Sequence, residues 1–189
     1  MPKKSEAVTV GETEPLLRGD KVLLRPFTAA DIDDAYIGWL NDPDVVRFSN
    51  QRFLRHDRES CLRYLASFAG TDNLFMSART LSDESDGKAI GTLTAYVSSH
   101  HGTVDVGIMM GDKSVWGRGY GQDAWNTLTH WLLLRQDIRK LTAGTLASNF
   151  GMIKLMERSG MTLEAVRKAQ EIVEGRPTDI LYYAKFHGA

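Results

Sequence analysis

Three glycines, Gly117, Gly119 and Gly121, crowd into five residues of the stretch "SVWGRGYGQDAW", Ser114 to Trp125, and an apolar pattern of helical spacing begins directly behind them. The amides that open a helix have no intrahelical partner. The peptide dipoles add positive potential there, and glycine lets a bulky anion approach the backbone. That is phosphate-binding chemistry, to which Arg118 can add a charge-assisted hydrogen bond. A tight strand-to-helix connection with no ligand explains the same glycines. A dinucleotide fingerprint fits poorly, because it needs G-x-G-x-x-G opening a largely parallel sheet. A nucleoside-triphosphate loop is excluded, since no Gly-Lys-Ser/Thr follows.

A second stretch equipped for polar chemistry is "WLNDPDVVRFSNQRFLRH". It interleaves Trp39, Phe48 and Phe53 with Arg47, Asn50, Gln51, Arg52 and His56. That mixture suits a polar ligand, which makes Trp39, Arg47, Asn50 and Arg52 candidate substrate contacts. Arg47 and Arg52 flank Ser49 to Gln51, so a compact loop could aim both guanidinium groups at one anion. An amphipathic helix end followed by an ordinary surface loop is the other reading. No metal-ligand cluster stands out, because the adjacent His100 and His101 lack the alternate spacing of a pair on one strand face.

The elements that must position these residues follow from periodicity. "KVLLRPF" (Lys21 to Phe27) reads as a strand closed by Pro26. "TAAD" (Thr28 to Asp31) has capping-box spacing ahead of a helix carrying Ile32, Ala35, Tyr36, Trp39 and Leu40, which Asn41-Asp42-Pro43 stops. A second helix starts near Asp57, with Cys61, Leu62, Leu65, Phe68 and Ala69 on one face. Strands over Leu74 to Thr80, Ala89 to Val97 and Thr103 to Met110, separated by the polar turns "SDESDG" and "SSHHG", suggest antiparallel hairpins. Behind the glycines, Ala124, Leu128, Trp131 and Leu132 mark a buried helix face. A strand over Lys140 to Ala147, a helix from Ser148 to Ser159 ended by Gly160, and two strands around the turn "EGRP" complete the chain. The order β-α-α-β-β-β-α-β-α-β-β implies an α/β fold: a mixed, mostly antiparallel seven-stranded sheet with helices on both faces and one central β-α-β unit.

Length and composition agree with that plan. The 189 residues, 42% of them hydrophobic, suit one domain over residues 16–189, preceded by a flexible polar leader over residues 1–15 and ending in a short frayed "HGA". A formal net charge of −1 gives no global electrostatic reason to expect nucleic acid. The sequence shows no apolar run of signal-peptide or membrane-span length. The single cysteine, Cys61, fits a reducing cytoplasm and reads as core.

With these pieces in place, "VDVGIMMGDKSVWGRGYGQDAW" followed by "ASNFGMIKLMERSGM" resembles the GNAT superfamily of acyl-CoA-dependent N-acetyltransferases, in particular its Rim-type branch of ribosomal-protein N-terminal acetyltransferases. The family's pyrophosphate signature is Arg/Gln-x-x-Gly-x-Gly/Ala, and Trp116 to Gly121 matches it at Gly119 and Gly121, with Trp116 in the leading position. "RGDKVLLRPFTAADIDD" and "EGRPTDILYYAKF" resemble the same branch, so the likeness covers about Leu16 to Phe186. It implies acetyl-CoA as co-substrate and a splay between the strand ending at Met110 and the strand starting near Lys140. The pantetheine arm would lie in that gap against Ile108, Met109 and Met110. Backbone groups of Gly117, Arg118, Gly119, Tyr120, Gly121 and Gln122 would hold the pyrophosphate. Asn149 matches a family position that contacts the coenzyme arm, and it reads equally well as a plain helix N-cap.

Acyl transfer to an amine needs a group, or a water relay, to take the amine's proton. Asp105 is the candidate: it shares a strand face with Gly107 and Met109, and the Rim-type pattern often has Glu there. A salt-bridged or solvated strand-start Asp is the alternative. Many superfamily members place a tyrosine acid where this chain has Met156, which has no proton to give. Ser159, Tyr120 or a water would then serve, or the thiolate leaves unaided with a pKa of about 8.5 by analogy with cysteine. The pattern W-L-N-D-P-x-V resembles members associated with surface-polysaccharide biosynthesis. The expected acceptor is therefore a small-molecule amine, with amino sugars and polyamines favoured. A protein N-terminus and a non-catalytic acyl-CoA-binding module are the alternatives. No nucleic acid, membrane or metal is expected, and a homodimer is compatible with the resemblance.

Overall fold

The computed structural model describes residues 15–81 and 87–188, so the expected leader and most of the "SDESDG" turn lie outside the described residues. The strands are β1 (Leu17–Arg18), β2 (Val22–Pro26), β3 (Leu74–Thr80), β4 (Ala89–Ser98), β5 (Thr103–Met110), β6 (Lys140–Leu146), β7 (Thr162–Val173) and β8 (Arg176–Phe186). They form one sheet in the order β1-β2-β3-β4-β5-β6-β8-β7. Every neighbouring pair is antiparallel except β5 and β6. The sheet thus has eight strands where seven were expected. The extra one, β1, pairs only Leu17 with Leu24 and Arg18 with Leu23, and two residues are too few to show a period.

Five helices connect the strands: α1 (Asp34–Leu40), α2 (Pro43–Val46), α3 (Arg58–Ala66), α4 (Tyr120–Leu134) and α5 (Phe150–Arg158). They lie on both faces and enclose two cores. On one face Trp125, Leu128 and Leu132 of α4 and Met156 of α5 pack against Leu24, Leu93, Val104 and Leu141. On the other, Tyr36 and Leu40 of α1 and Cys61 of α3 pack against Phe27 and Phe75. The strict alternation of β5 serves both faces: Val104, Val106, Ile108 and Met110 face the α4 side and Met109 the α1 side.

Several local expectations are corrected. The Thr28–Asp31 box closes a short 3-10 turn over Ala29–Asp31 rather than α1, because the Asp31 carboxylate is held by Arg25 at 2.7 and 2.9 Å. The cap of α1 is Asp33, which accepts from the Tyr36 amide at 2.8 Å. Pro43 both ends one helix and starts the next. Asp42 caps α2 through the Asp44 amide at 2.9 Å, and proline at a first helical position is favourable. On α3, Leu62 is exposed and Ala69 lies beyond the helix end. Tyr64 is exposed as well, but one side of its ring lies edge-on to Phe68 and Phe75 at 5.2 and 5.3 Å. On α4, Trp131 is only half-buried, under Arg135, while Trp125 fills the centre of the core. The C-terminal "HGA" is not loose at His187, whose ring Nδ1 donates to the Leu133 carbonyl at 2.5 Å and whose amide donates to the Arg139 carbonyl at 3.0 Å.

One carboxylate ties the first strands to the glycine segment. Asp123, in the first turn of α4, accepts from the amides of Asp20, Lys21 and Val22 at 3.1, 2.8 and 3.0 Å. Those amides come from the turn between β1 and β2 and from the first residue of β2, so the start of α4 is pinned to the sheet edge. Asp123→Ala leaves three donors without a protein acceptor. It is expected to lower the unfolding free energy by about 1–3 kcal/mol, read from urea denaturation. An unchanged midpoint would show that water replaces the carboxylate without loss.

Candidate active site

The cleft begins where the central pairing fails. Strands β5 and β6 are matched only at Thr103–Lys140, Val104–Leu141 and Asp105–Thr142. Beyond these, β5 stays paired to β4 as far as Met110 and β6 to β8 as far as Leu146. The two halves of the sheet therefore part while each keeps its outer neighbour. A cleft of about 750 Å³ opens there, a size that suits a small ligand.

Eight of the sequence candidates share its wall: Ile108, Met109, Met110, Gly117, Gly119, Gly121, Gln122 and Asn149. Gly119 is the N-cap of α4, in a left-handed conformation at φ 86°, and no side chain caps the helix. The first-turn amides are thus left for an external acceptor. The Lys21 ammonium donates to the Arg118 carbonyl at 2.9 Å and adds positive charge beside the loop. Asn149 caps α5, accepting from the Met152 amide at 3.2 Å, and lines the cleft as well. Gln122 ties α4 to the end of α5, donating to Ser159 Oγ at 2.9 Å and to the Leu155 carbonyl at 3.3 Å, and also donates to Asn126 Oδ1 on α4 at 3.0 Å.

Arg118 and Tyr120 are not part of that wall. Arg118 donates weakly to the Ser114 carbonyl at 3.4 Å, and the Tyr120 ring lies beneath both Lys21 and Arg118. Trp116 does line the cleft, and its indole donates to the Met110 carbonyl at 2.8 Å. Lys154 and Arg158 also face in from α5. Sequence reasoning missed them because Lys and Arg four residues apart on a helix read as a solvated stripe; their position beside Asn149 and the glycine segment was the only signal.

The other end of the cleft is aromatic. Tyr36, Tyr64 and Phe75 line it together with Thr92 and Thr94 of β4. The Tyr64 and Tyr96 hydroxyls are 2.7 Å apart, and burial raises the pKa of both Tyr36 and Tyr64, so both stay neutral phenols.

Asp105 sits on the face predicted, at the last parallel pair, but outside the cleft wall. Gly107, two residues and roughly 7 Å further along the strand, is in the wall. The Asp105 carboxylate accepts from Thr142 Oγ1 at 2.8 Å. Though the residue is solvent-exposed, burial of its carboxylate against the sheet raises the pKa, and the Thr142 bond opposes that rise. Met156 is fully buried core. Ser159 donates to the Leu155 carbonyl at 2.7 Å and, like Tyr120, lies outside the wall.

The substrate loop is arranged differently from expectation. Phe48, Ser49 and Gln51 face the cleft, whereas Arg47, Asn50 and Arg52 turn away toward the β7–β8 hairpin. Arg47 pairs with Glu174 at 2.9 Å; Arg52 pairs with Glu171 at 3.4 Å and donates to the Ile172 carbonyl at 3.3 Å. The two guanidinium groups therefore do not converge on one anion. Trp39 packs flat on the backbone after β5, so close that a Cβ on Gly111 would lie 2.0 Å from its ring.

A split central sheet with a glycine-rich helix start at its mouth defines an acyl-coenzyme-binding fold. A family model described as the acetyltransferase (GNAT) domain matches residues 21–162. The chain belongs to that family, the acetyl-CoA-dependent N-acetyltransferases. No curated protein matches the sequence. Among solved structures, a GNAT-family acetyltransferase from Bacillus anthracis superposes with a TM-score of 0.77 at 16% identity, over 93% of this chain and 100% of its own. RimL, a ribosomal-protein α-N-acetyltransferase solved with coenzyme A, gives 0.76 at 15% identity, over 88% and 94%. Spermidine N-acetyltransferase from Vibrio cholerae, solved with CoA and spermine, gives 0.77 at 12% identity, over 88% and 95%.

The left-handed turn at Gly119 sets the first test. Gly119→Val forces a β-branched residue into a conformation that glycine alone adopts cheaply and crowds the helix-start amides. The variant is expected to bind acetyl-CoA at least about tenfold more weakly by calorimetry. A folded variant with unchanged affinity would remove these amides from coenzyme binding.

Proposed function

We propose that the protein transfers the acetyl group of acetyl-CoA to a primary amine of a small molecule in the cytoplasm. The observation that carries this reading is the continuous cleft, which runs from the uncapped start of α4, through the gap between β5 and β6, to the aromatic end at Tyr36 and Tyr64. A pyrophosphate suits the first end. An extended thioester arm suits the unpaired strand edges, and the amine reaches the acyl group from the third part.

The chain's own groups supply positioning and one proton acceptor. Helix-start amides with Lys21, Lys154 and Arg158 offer positive charge to the coenzyme's phosphates. Asn149 stands where the arm would pass. Asp105 lies too far along the strand for direct contact at the wall, so it would take the amine's proton through water. No side chain at the family's acid position carries a proton, and the thiolate leaves as a moderately stable anion.

A protein N-terminus is the second acceptor reading, since RimL shares the fold. The loop of Phe48, Ser49 and Gln51 favours a small molecule, because Arg47, Asn50 and Arg52 brace it against the β7–β8 hairpin. A thiol-release assay with acetyl-CoA over small amines and N-terminal peptides tests the reading. Tight acetyl-CoA binding without turnover on any amine would instead mark a binding module.

Asp105→Asn is expected to lower turnover by about 100- to 10,000-fold at neutral pH, with acetyl-CoA affinity unchanged. The base form of Asp105 is lost as pH falls through its raised pKa. The wild-type acid limb should therefore lie at higher pH than that of an ordinary aspartate and be absent from the Asn variant. Wild-type rates in that variant would take Asp105 out of the mechanism.

A further inference from the structure

The acceptor end of the cleft has a charge balance that narrows the amine it can take. Its walls are Tyr36, Leu40, Val46, Phe48, Tyr64 and Phe75. The rings are locked to one another: Phe75 stacks on Phe27 and Phe68 at centroid distances of 4.3 and 5.1 Å, and Tyr64 meets Phe75 edge-on. A wall already ordered in this way gives an apolar guest contact without further loss of side-chain freedom. The polar lining comes from Ser49, Gln51 and Thr94, with Asp44 the one acidic residue. The hydroxyl of Tyr36 makes no hydrogen bond to any described residue, which leaves it one anchor to offer.

Charged groups nearby are few, and each already has a polar partner. Asp44 is the one carboxylate in the described wall, and Lys113 holds it at 3.0 Å while also pairing with Asp42 at 2.7 Å. Asp105 is outside the wall and bonded to Thr142. Arg47 and Arg52 face Glu174 and Glu171. A polyamine would bring additional ammonium groups among aromatic and aliphatic side chains, where the described wall offers only Asp44, a mostly exposed carboxylate that shares Lys113 with Asp42. A nucleotide-linked sugar would bring phosphates to an end of the cleft whose arginines, Arg47 and Arg52, face glutamates. Each would lose hydration among apolar side chains that return no hydrogen bond.

We infer that the acceptor is a primary amine on an uncharged aromatic or branched apolar body, of arylalkylamine size. This rests on the acetyltransferase reading and specifies its substrate class. The ring or branched end packs among Tyr64, Phe75 and Phe48, and the amine points along β5 toward Gly107 and the acyl end of the cleft. The amine nitrogen forms its bond to the acetyl carbon as the carbon–sulfur bond breaks. One proton passes from nitrogen to water, and the electron pair leaves with the thiolate.

The test measures thiol release by the full chain with acetyl-CoA and, separately, phenethylamine, isoamylamine, spermidine, glucosamine, a UDP-linked amino sugar and a tetrapeptide with a free N-terminus. The inference expects kcat/KM for phenethylamine to exceed that for spermidine by about tenfold or more, with isoamylamine also ahead of spermidine. Ser49→Asp keeps a residue able to cap the turn at Gln51 and adds a carboxylate to the wall. It should shrink the phenethylamine-to-spermidine ratio at least about threefold, toward the polycation. Preference for spermidine, either sugar or the peptide would overturn the inference while upholding acetyl transfer. An unchanged ratio in Ser49→Asp would also overturn it. If acetyl-CoA binds but no amine is acetylated, the acetyltransferase reading falls and the inference with it.

Discussion

The end of the β5–β6 pairing after three residue pairs is the constraint on which the rest of the molecule turns. A sheet interrupted at its centre exposes two rows of backbone donors and acceptors, which a folded protein must either cover or reserve for a partner. Each half keeps its outer neighbour, so neither strand frays. The cost of the gap is confined to the inner edges, where an extended ligand arm can replace the missing strand. The parallel contact itself requires a crossover, and α4 provides it, burying Trp125, Leu128 and Leu132 across the rear of the split. The glycine-rich start of that helix consequently falls at the mouth of the gap. The uncapped helix start and the sheet rupture are two consequences of one connection.

Charge pairing then fixes what is left free. Asp123 binds three backbone amides of the β1–β2 turn and the first residue of β2, and leaves the amides at Gly119 to Gln122 facing outward. At the opposite end the substrate loop alternates: apolar and amide side chains turn in, while Arg47 and Arg52 turn out to the hairpin glutamates. An exposed pair such as Arg47–Glu174 contributes little stability alone. Together with the more enclosed Arg52–Glu171 contact it sets which loop residues meet the ligand.

This alternation also explains what could be read in advance. Strands β3 and β5 were legible to the residue, because polar turns bound their short apolar runs and, in β5, Val104, Asp105 and Val106 alternate in and out. The glycine segment was legible because its backbone demand is written in residue type. The direction of the arginine side chains was not. A loop has no period, and the partners that turned Arg47 and Arg52 away, Glu174 and Glu171, lie more than a hundred residues further along the chain. Tyr64 was overlooked for a related reason: a tyrosine at helical spacing among leucines looks peripheral until Phe68 and Phe75 surround it. Lys154 and Arg158 satisfy the rule for a solvated stripe and yet face a cleft, because the cleft is itself a solvated surface that a polyanion can fill.

The buried Met156 bears on where catalysis is demanding. A thiolate with a pKa near 8.5 is a tolerable leaving group at neutral pH, whereas an aliphatic ammonium holds its proton far more firmly. The energetic requirement therefore falls on removing a proton from nitrogen and on holding the amine beside the acyl carbon. The proposed reading meets that requirement: an apolar aromatic seat would disfavour the charged ammonium over the neutral amine, and Asp105, a carboxylate of raised pKa, would take the proton one step beyond the wall. With the amine supplied neutral and the thiolate able to leave unaided, a phenolic acid on α5 becomes dispensable, and that position can serve the core instead.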